Sequence, residues 1–118
     1  MPGAYLAATA LTESLIEAYF TLYNTSYPIL HERTFRDSYE TSTRIPAKSS
    51  WHLIFNLVLA IGHWVSSSGN DHDDSPYYLA ARSRMSTRML ESGTLGSVQA
   101  FLLMVNSLQC TIIRDWNF

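Results

Sequence analysis

The sequence predicts an all-α fold, a bundle or array of about five helices forming part of a larger domain. Three observations carry this. Apolar residues recur every three to four positions in separate stretches, and no stretch alternates apolar and polar as a half-buried strand would. Proline, serine and polar clusters fall mostly between those stretches. Hydrophobic residues make up 47% of the 118-residue chain and charged residues 15%. That balance excludes a disordered chain and implies more apolar surface than one small domain hides.

Residues 1–10 read as a frayed or disordered N-terminus, 11–113 as the helical domain and 114–118 as a tail. Thr12 is placed to cap the first helix. Leu15, Tyr19 and Leu22, with Ile16 and Tyr23 beside them, form its apolar stripe, and Glu13, Glu17 and Thr21 its wet side. Asn24 to Pro28 ends it, since the residue before a proline is pushed out of helical geometry. The stretch ERTFRDSYE gives a short second helix with Phe35 and Tyr39 one turn apart. Ser49 or Ser50 caps a third helix from Trp51 to about Ser66, apolar nearly all round and therefore central. His52, Asn56 and His63 lie in one narrow polar stripe along it. Ser75 and Pro76 start a fourth helix, with Tyr78, Ala81, Met85 and Met89 on one face and Gly93 at its close. Thr94 opens a fifth, in which Val98, Phe101, Leu102, Val105, Leu108 and Ile112 recur at helical spacing. The third and fifth helices want partners on more than one side, so the natural domain is expected to continue beyond Phe118.

Several function classes are disfavoured. A single cysteine, Cys110, builds neither a disulfide framework nor a multi-cysteine metal site. The net charge is −2, and the small cluster Arg82, Arg84 and Arg88 is no nucleic-acid surface. The apolar run from Leu53 to Val65 is interrupted and shorter than the about 20 residues a bilayer needs. His52 and His63 stand roughly 16 Å apart along a helix, too far to share a metal ion. The acidic stretch Asp71 to Asp74 does not match a calcium loop. No nucleophile elbow, phosphate-cradling glycine loop or zinc-protease motif is present, so no enzyme is expected. The sequon Asn24-Thr25-Ser26 carries no meaning in a cytosolic or nuclear chain.

The stretch SYPILHERTF reads as a corner. Pro28 fixes a bend, Ile29 and Leu30 tuck inward, His31 sits near a helix start and Phe35 anchors the next helix. His31 is therefore expected to be architectural, with no partner acid or nucleophile beside it. If the bundle holds an effector pocket, its expected place is where the third and fifth helices meet, near His52, Asn56 and Gln99.

Four stretches in order carry a resemblance: LIEAYFTLYNTSYPILHERTFRDSY, WHLIFNLVLAIGHWV, SPYYLAARSRM and TLGSVQAFLLM. Together they resemble the N-terminal half of the fungal-specific transcription factor domain, the middle homology region of fungal zinc-cluster transcription factors. The matching positions are Tyr19 and Phe20, then Tyr27, Pro28, Ile29, Leu30, His31 and Phe35. Leu59, Ala60, Ile61 and Gly62 follow, then Tyr77, Tyr78, Ala81 and Arg82, then Leu95, Val98, Gln99 and Ala100.

The resemblance implies an all-α regulatory domain of a nuclear regulator of transcription by RNA polymerase II. It implies partners in the remainder of that factor or a related chain, and tuning by a coregulator protein or a small metabolite. It implies no membrane and no direct DNA contact by this segment. Zinc and DNA binding belong in that family to a Zn₂Cys₆ cluster, which the single Cys110 cannot build. No cofactor is expected in this chain. The alternative is a free-standing helical interaction module derived from such a domain.

Overall fold

The computed structural model describes residues 2–46, 49–66, 77, 79–80, 83 and 94–116. Four α-helices are present among them: α1 Pro2–Ala18, α2 Glu32–Glu40, α3 Ser50–Ser66 and α4 Leu95–Trp116. A π-helical turn, Tyr19–Tyr23, prolongs α1, and a 3₁₀ turn, Ser42–Arg44, follows α2. No strand occurs among the described residues, and the all-α class predicted from periodicity is the class observed. Most of the expected fourth helix lies outside the described residues, including Tyr78, Ala81, Arg82, Met85 and Met89. Tyr77, Leu79, Ala80 and Ser83 are helical.

α1 begins at Pro2, well before the expected cap at Thr12, and residues 2–10 are helix where fraying was expected. Proline suits the first helical position, where its missing N–H has no partner to lose. The alanines that follow have the highest helix propensity but make no apolar stripe, so periodicity does not reveal them.

The π turn corrects the expected inner face of the first helix. Asn24 N–H donates to Tyr19 O at 2.9 Å, closing a wider turn than an α-helix allows. The extra residue delays the rotation of the chain. Tyr23 is consequently 7% exposed, whereas Leu22, expected inside, is 56% exposed. The buried set is Leu15, Ile16, Tyr19, Phe20 and Tyr23.

α3 is central, as its apolar surface predicted. It packs on both α1 and α4 and buries Leu53, Ile54 and an unbroken run from Leu57 to Gly62. Ser49 caps it, accepting the Trp51 N–H on Oγ at 3.2 Å. A Cβ at Gly62 would collide with the Leu15 carbonyl group, whose carbon stands 3.0 Å away. Glycine there lets the α1 and α3 backbones approach each other.

α4 starts at a side-chain cap, with Ser97 N–H donating to Thr94 Oγ1 at 3.1 Å. Its inner face is Ser97, Ala100, Leu103 and Met104. This overturns the expected apolar face, because Val98, Phe101 and Leu102 are exposed, as is Leu95. The helix is apolar on two sides. The side bearing small residues, Ser97 and Ala100, is the one that fits closely against α3.

Candidate functional site

The corner between α1 and α2 is organised by Asn24. Its Oδ1 accepts hydrogen bonds from Ile29 N at 3.2 Å, Leu30 N at 3.3 Å and the Tyr19 hydroxyl at 3.2 Å. Its Nδ2 donates to Leu30 O at 3.1 Å. One side chain thus satisfies the backbone of a turn that passes Pro28 and can form no regular ladder. Asn24 is the asparagine of the sequon, and its amide nitrogen is already engaged. The Tyr19 ring is fully buried. Burial pushes its phenol pKa up, and nearby Tyr23 adds to the shift.

Leu30 leads into His31, the N-cap of α2. Its ring Nδ1 accepts the Thr34 N–H at 3.3 Å and lies 2.9 Å from Thr34 Oγ1. An accepting Nδ1 leaves the ring hydrogen on Nε2. His31 thus stands at the start of α2 as its cap. One turn on, Phe35 is buried, with ring centroids 5.5 Å from Phe20 and 6.0 Å from Trp51. Trp51 is stacked on Phe55 at 5.0 Å. Outside this aromatic group, Arg36 pairs with Glu17 and Glu32, each at 2.8 Å, and lies over the Phe20 ring.

Gln99 joins α4 to the corner by donating from Nε2 to Ile29 O at 3.2 Å. Beside that bond is a cavity of about 210 Å³. The corner and α2 supply Leu30, His31, Thr34, Phe35 and Ser38. α3 supplies Trp51 and Ile54, and α4 supplies Leu95 and Gln99. The Trp51 Nε1–H is buried and meets no acceptor among the described residues.

The structure separates the three residues expected to line a pocket. Gln99 is on the cavity wall. His52 and Asn56 are not, and their polar groups are engaged with backbone: His52 Nε2 lies 3.1 Å from Ile45 O, and Asn56 Nδ2 donates to His52 O at 2.8 Å. Of the family-like positions, Leu30, His31, Phe35, Leu95 and Gln99 border the cavity. Tyr19, Phe20, Ala60 and Gly62 belong to the core. Pro28 is an exposed turn residue. Sequence reasoning missed Asn24 and Trp51. A signal for Asn24 existed in an asparagine at a helix end followed closely by proline. For Trp51 there was none, since a tryptophan reads as core. Among the described residues no group of three or more ligands could hold a metal ion. No helix among them is long and apolar enough to cross a membrane.

Comparison with known proteins gives a family match and curated relatives. The family described as "Fungal specific transcription factor domain" matches residues 16–115. The lactose regulatory protein LAC9 of Kluyveromyces lactis is 33% identical over 107 residues, covering 91% of this chain. This chain spans only 12% of that relative's length. No solved structure matches.

Proposed function

This chain belongs to the fungal specific transcription factor domain family, and on that premise we propose that it is a regulatory helical module of a nuclear regulator of RNA polymerase II transcription. In this reading it makes no contact with DNA and catalyses nothing. It changes the output of a DNA-bound factor through its packing against the remainder of that factor. The observation that carries the proposal is the family match, which extends from α1 to the end of α4. The name of the relative describes a regulatory protein, which supports the same reading.

The surface fits such a role. Leu95, Val98, Phe101 and Leu102 project from one stretch of α4 and are 44–73% exposed. Clustered large apolar side chains on a surface mark an interaction site. The remainder of a larger regulator is the partner we assign to this face. An effector that binds one packing better than another would shift the balance between them.

A reporter assay tests the function. The chain is fused to an unrelated DNA-binding domain and activation segment, and reporter output is measured in yeast nuclei. The expected result is a clear change in output that charged substitutions at Val98 and Phe101 abolish. Output equal to that of the fusion without the chain would overturn the proposal.

A further inference from the structure

We infer that the corner between α1 and α2 is a proton-sensitive latch, closed by the neutral ring of His31 and released when that ring takes up a proton. The inference goes beyond the regulatory reading and does not depend on it.

The latch rests on one bond that a cation cannot make. His31 caps α2 by accepting the Thr34 N–H on Nδ1 at 3.3 Å. An imidazole nitrogen accepts only while it carries no hydrogen, and in the imidazolium both ring nitrogens are donors. Proton uptake therefore sets one N–H against another. The ring can still donate to Thr34 Oγ1, 2.9 Å away, but the Thr34 N–H is left without its acceptor. A helix N-terminus also carries partial positive charge, so a cation at the cap is repelled. Serine, threonine and asparagine caps accept on an oxygen and keep one charge state between about pH 5 and 8. Histidine makes this cap conditional.

The surroundings offer the imidazolium little compensation. The charged side chains of α2 are Glu32, Arg33, Arg36, Asp37 and Glu40. Glu32, next to His31, is engaged with Arg36 at 2.8 Å, and Glu17 of α1 is engaged with the same guanidinium at 2.8 Å. Arg33 adds a like charge. On the cavity wall that His31 shares, α3 supplies Trp51 and Ile54 and α4 supplies Leu95 and Gln99, none of which is charged. His31 itself is exposed, so solvent delivers the proton without any opening of the fold.

The position gives protonation a consequence. The His31 carbonyl accepts the first bond of α2, from Phe35 N–H at 3.0 Å. Cap and first turn thus hang on one residue. Two residues earlier, the Ile29 carbonyl accepts the bond from Gln99 of α4. Fraying therefore begins between the buried Phe35 ring and the link to α4. The capped state binds one proton fewer than the released state. Its stability falls as the pH falls through the range in which histidines titrate, about pH 8 to 5.

The test is amide hydrogen exchange of the full chain, followed by NMR from about pH 7.5 to about pH 5 and corrected for the intrinsic pH dependence of exchange. Protection of the Thr34 and Phe35 N–H groups is expected to fall about five-fold, the loss of one cap. The midpoint should match that of the His31 ring signals. His31→Asn keeps an acceptor that does not titrate, and should show no fall although His52, His63 and His72 remain. His31→Lys, charged and without an acceptor, should show low protection throughout. Unchanged protection in the natural protein while the His31 ring titrates would overturn the inference. So would the same fall in His31→Asn, or high protection in His31→Lys. An equal fall at Leu57 and Val58 in α3 would trace the change to the whole fold and overturn it too.

Discussion

The seam between α1 and α3 and the corner between α1 and α2 are built from opposite materials. At the seam, Gly62 of α3 lies against the Leu15 carbonyl, surrounded by buried aliphatic side chains. Its strength lies in shape, with no side-chain hydrogen bond among its core residues Leu15, Ile16, Leu57, Val58 and Ile61. At the corner, Asn24 and His31 do the holding, through directional bonds to backbone that no helix satisfies. Pro28 and His31 there are exposed. Apolar close packing tolerates no added atom, whereas a hydrogen-bonded turn tolerates any side chain that presents the same acceptor. Mutations that add volume should therefore damage the seam, and mutations that remove an acceptor should damage the corner.

Phe35 is where the two materials meet, because the corner delivers an aromatic ring into the core. Phe35→Ala is expected to cost about 3–5 kcal/mol, the usual loss for a buried phenylalanine. Urea unfolding monitored by circular dichroism measures it. An unchanged midpoint would mean that the corner does not anchor α2 at all. The next largest effect belongs to the seam. Gly62→Ala adds one methyl group against a backbone carbonyl that cannot move aside as a side chain could. The expected loss is about 1–3 kcal/mol, although alanine is the better helix former. A stabilised Gly62→Ala protein would show that the helices are free to separate and that close approach is not required.

Asn24→Ala tests the corner in the opposite sense, by subtraction. The Ile29 and Leu30 N–H groups and the Leu30 carbonyl lose their partner together, at an expected cost of about 1–3 kcal/mol. Tyr19 supplies a second reading of the same group through pH. Its phenol pKa is raised by burial above the ordinary 10.0, so the folded state holds the neutral form while the unfolded state ionises. Stability is then unaffected by this group below about pH 10 and falls as the pH rises further. Tyr19→Phe should be the less stable protein at neutral pH, having lost the bond to Asn24, and the difference should shrink or reverse in alkali. Parallel loss of stability in the two proteins above about pH 10 would remove Tyr19 as the cause.

Much of this was legible in the residues, and the parts that were not share a physical reason. ERTFRDSYE matched α2 residue for residue because a polar helix with one aromatic anchor has one plausible face. The apolar circumference of α3 announced its central position. The π turn was hidden because it depends on five consecutive residues finding a tertiary environment, and Tyr19–Tyr23 reads equally well as ordinary helix. α4 misled because its larger apolar side chains face outward while Ser97 and Ala100 face in. Large residues attract attention, yet small ones decide which side of a helix comes closest to its neighbour. The cavity shows a related effect. His52 and Asn56 look functional in a sequence because they are polar, but nearby backbone takes up their bonds. Trp51, a residue that composition counts as apolar, carries a buried N–H that meets no acceptor among the described residues.

The smallest expected effect is the most specific test of the corner. His31 is an unusual N-cap, since serine, threonine, aspartate and asparagine are the preferred residues. Its ring nitrogen performs the same task by accepting the Thr34 N–H. His31→Ala should cost about 1 kcal/mol, the typical loss of a cap. His31→Asn should restore most of it, because the asparagine side-chain oxygen can reach the same donor. Calorimetry on the three proteins decides the matter. If asparagine and alanine are equally damaging, the ring matters as a wall of the cavity and not as a cap. If neither is damaging, the hydrogen bond to Thr34 is replaced by water at no loss, and Asn24 alone holds the corner.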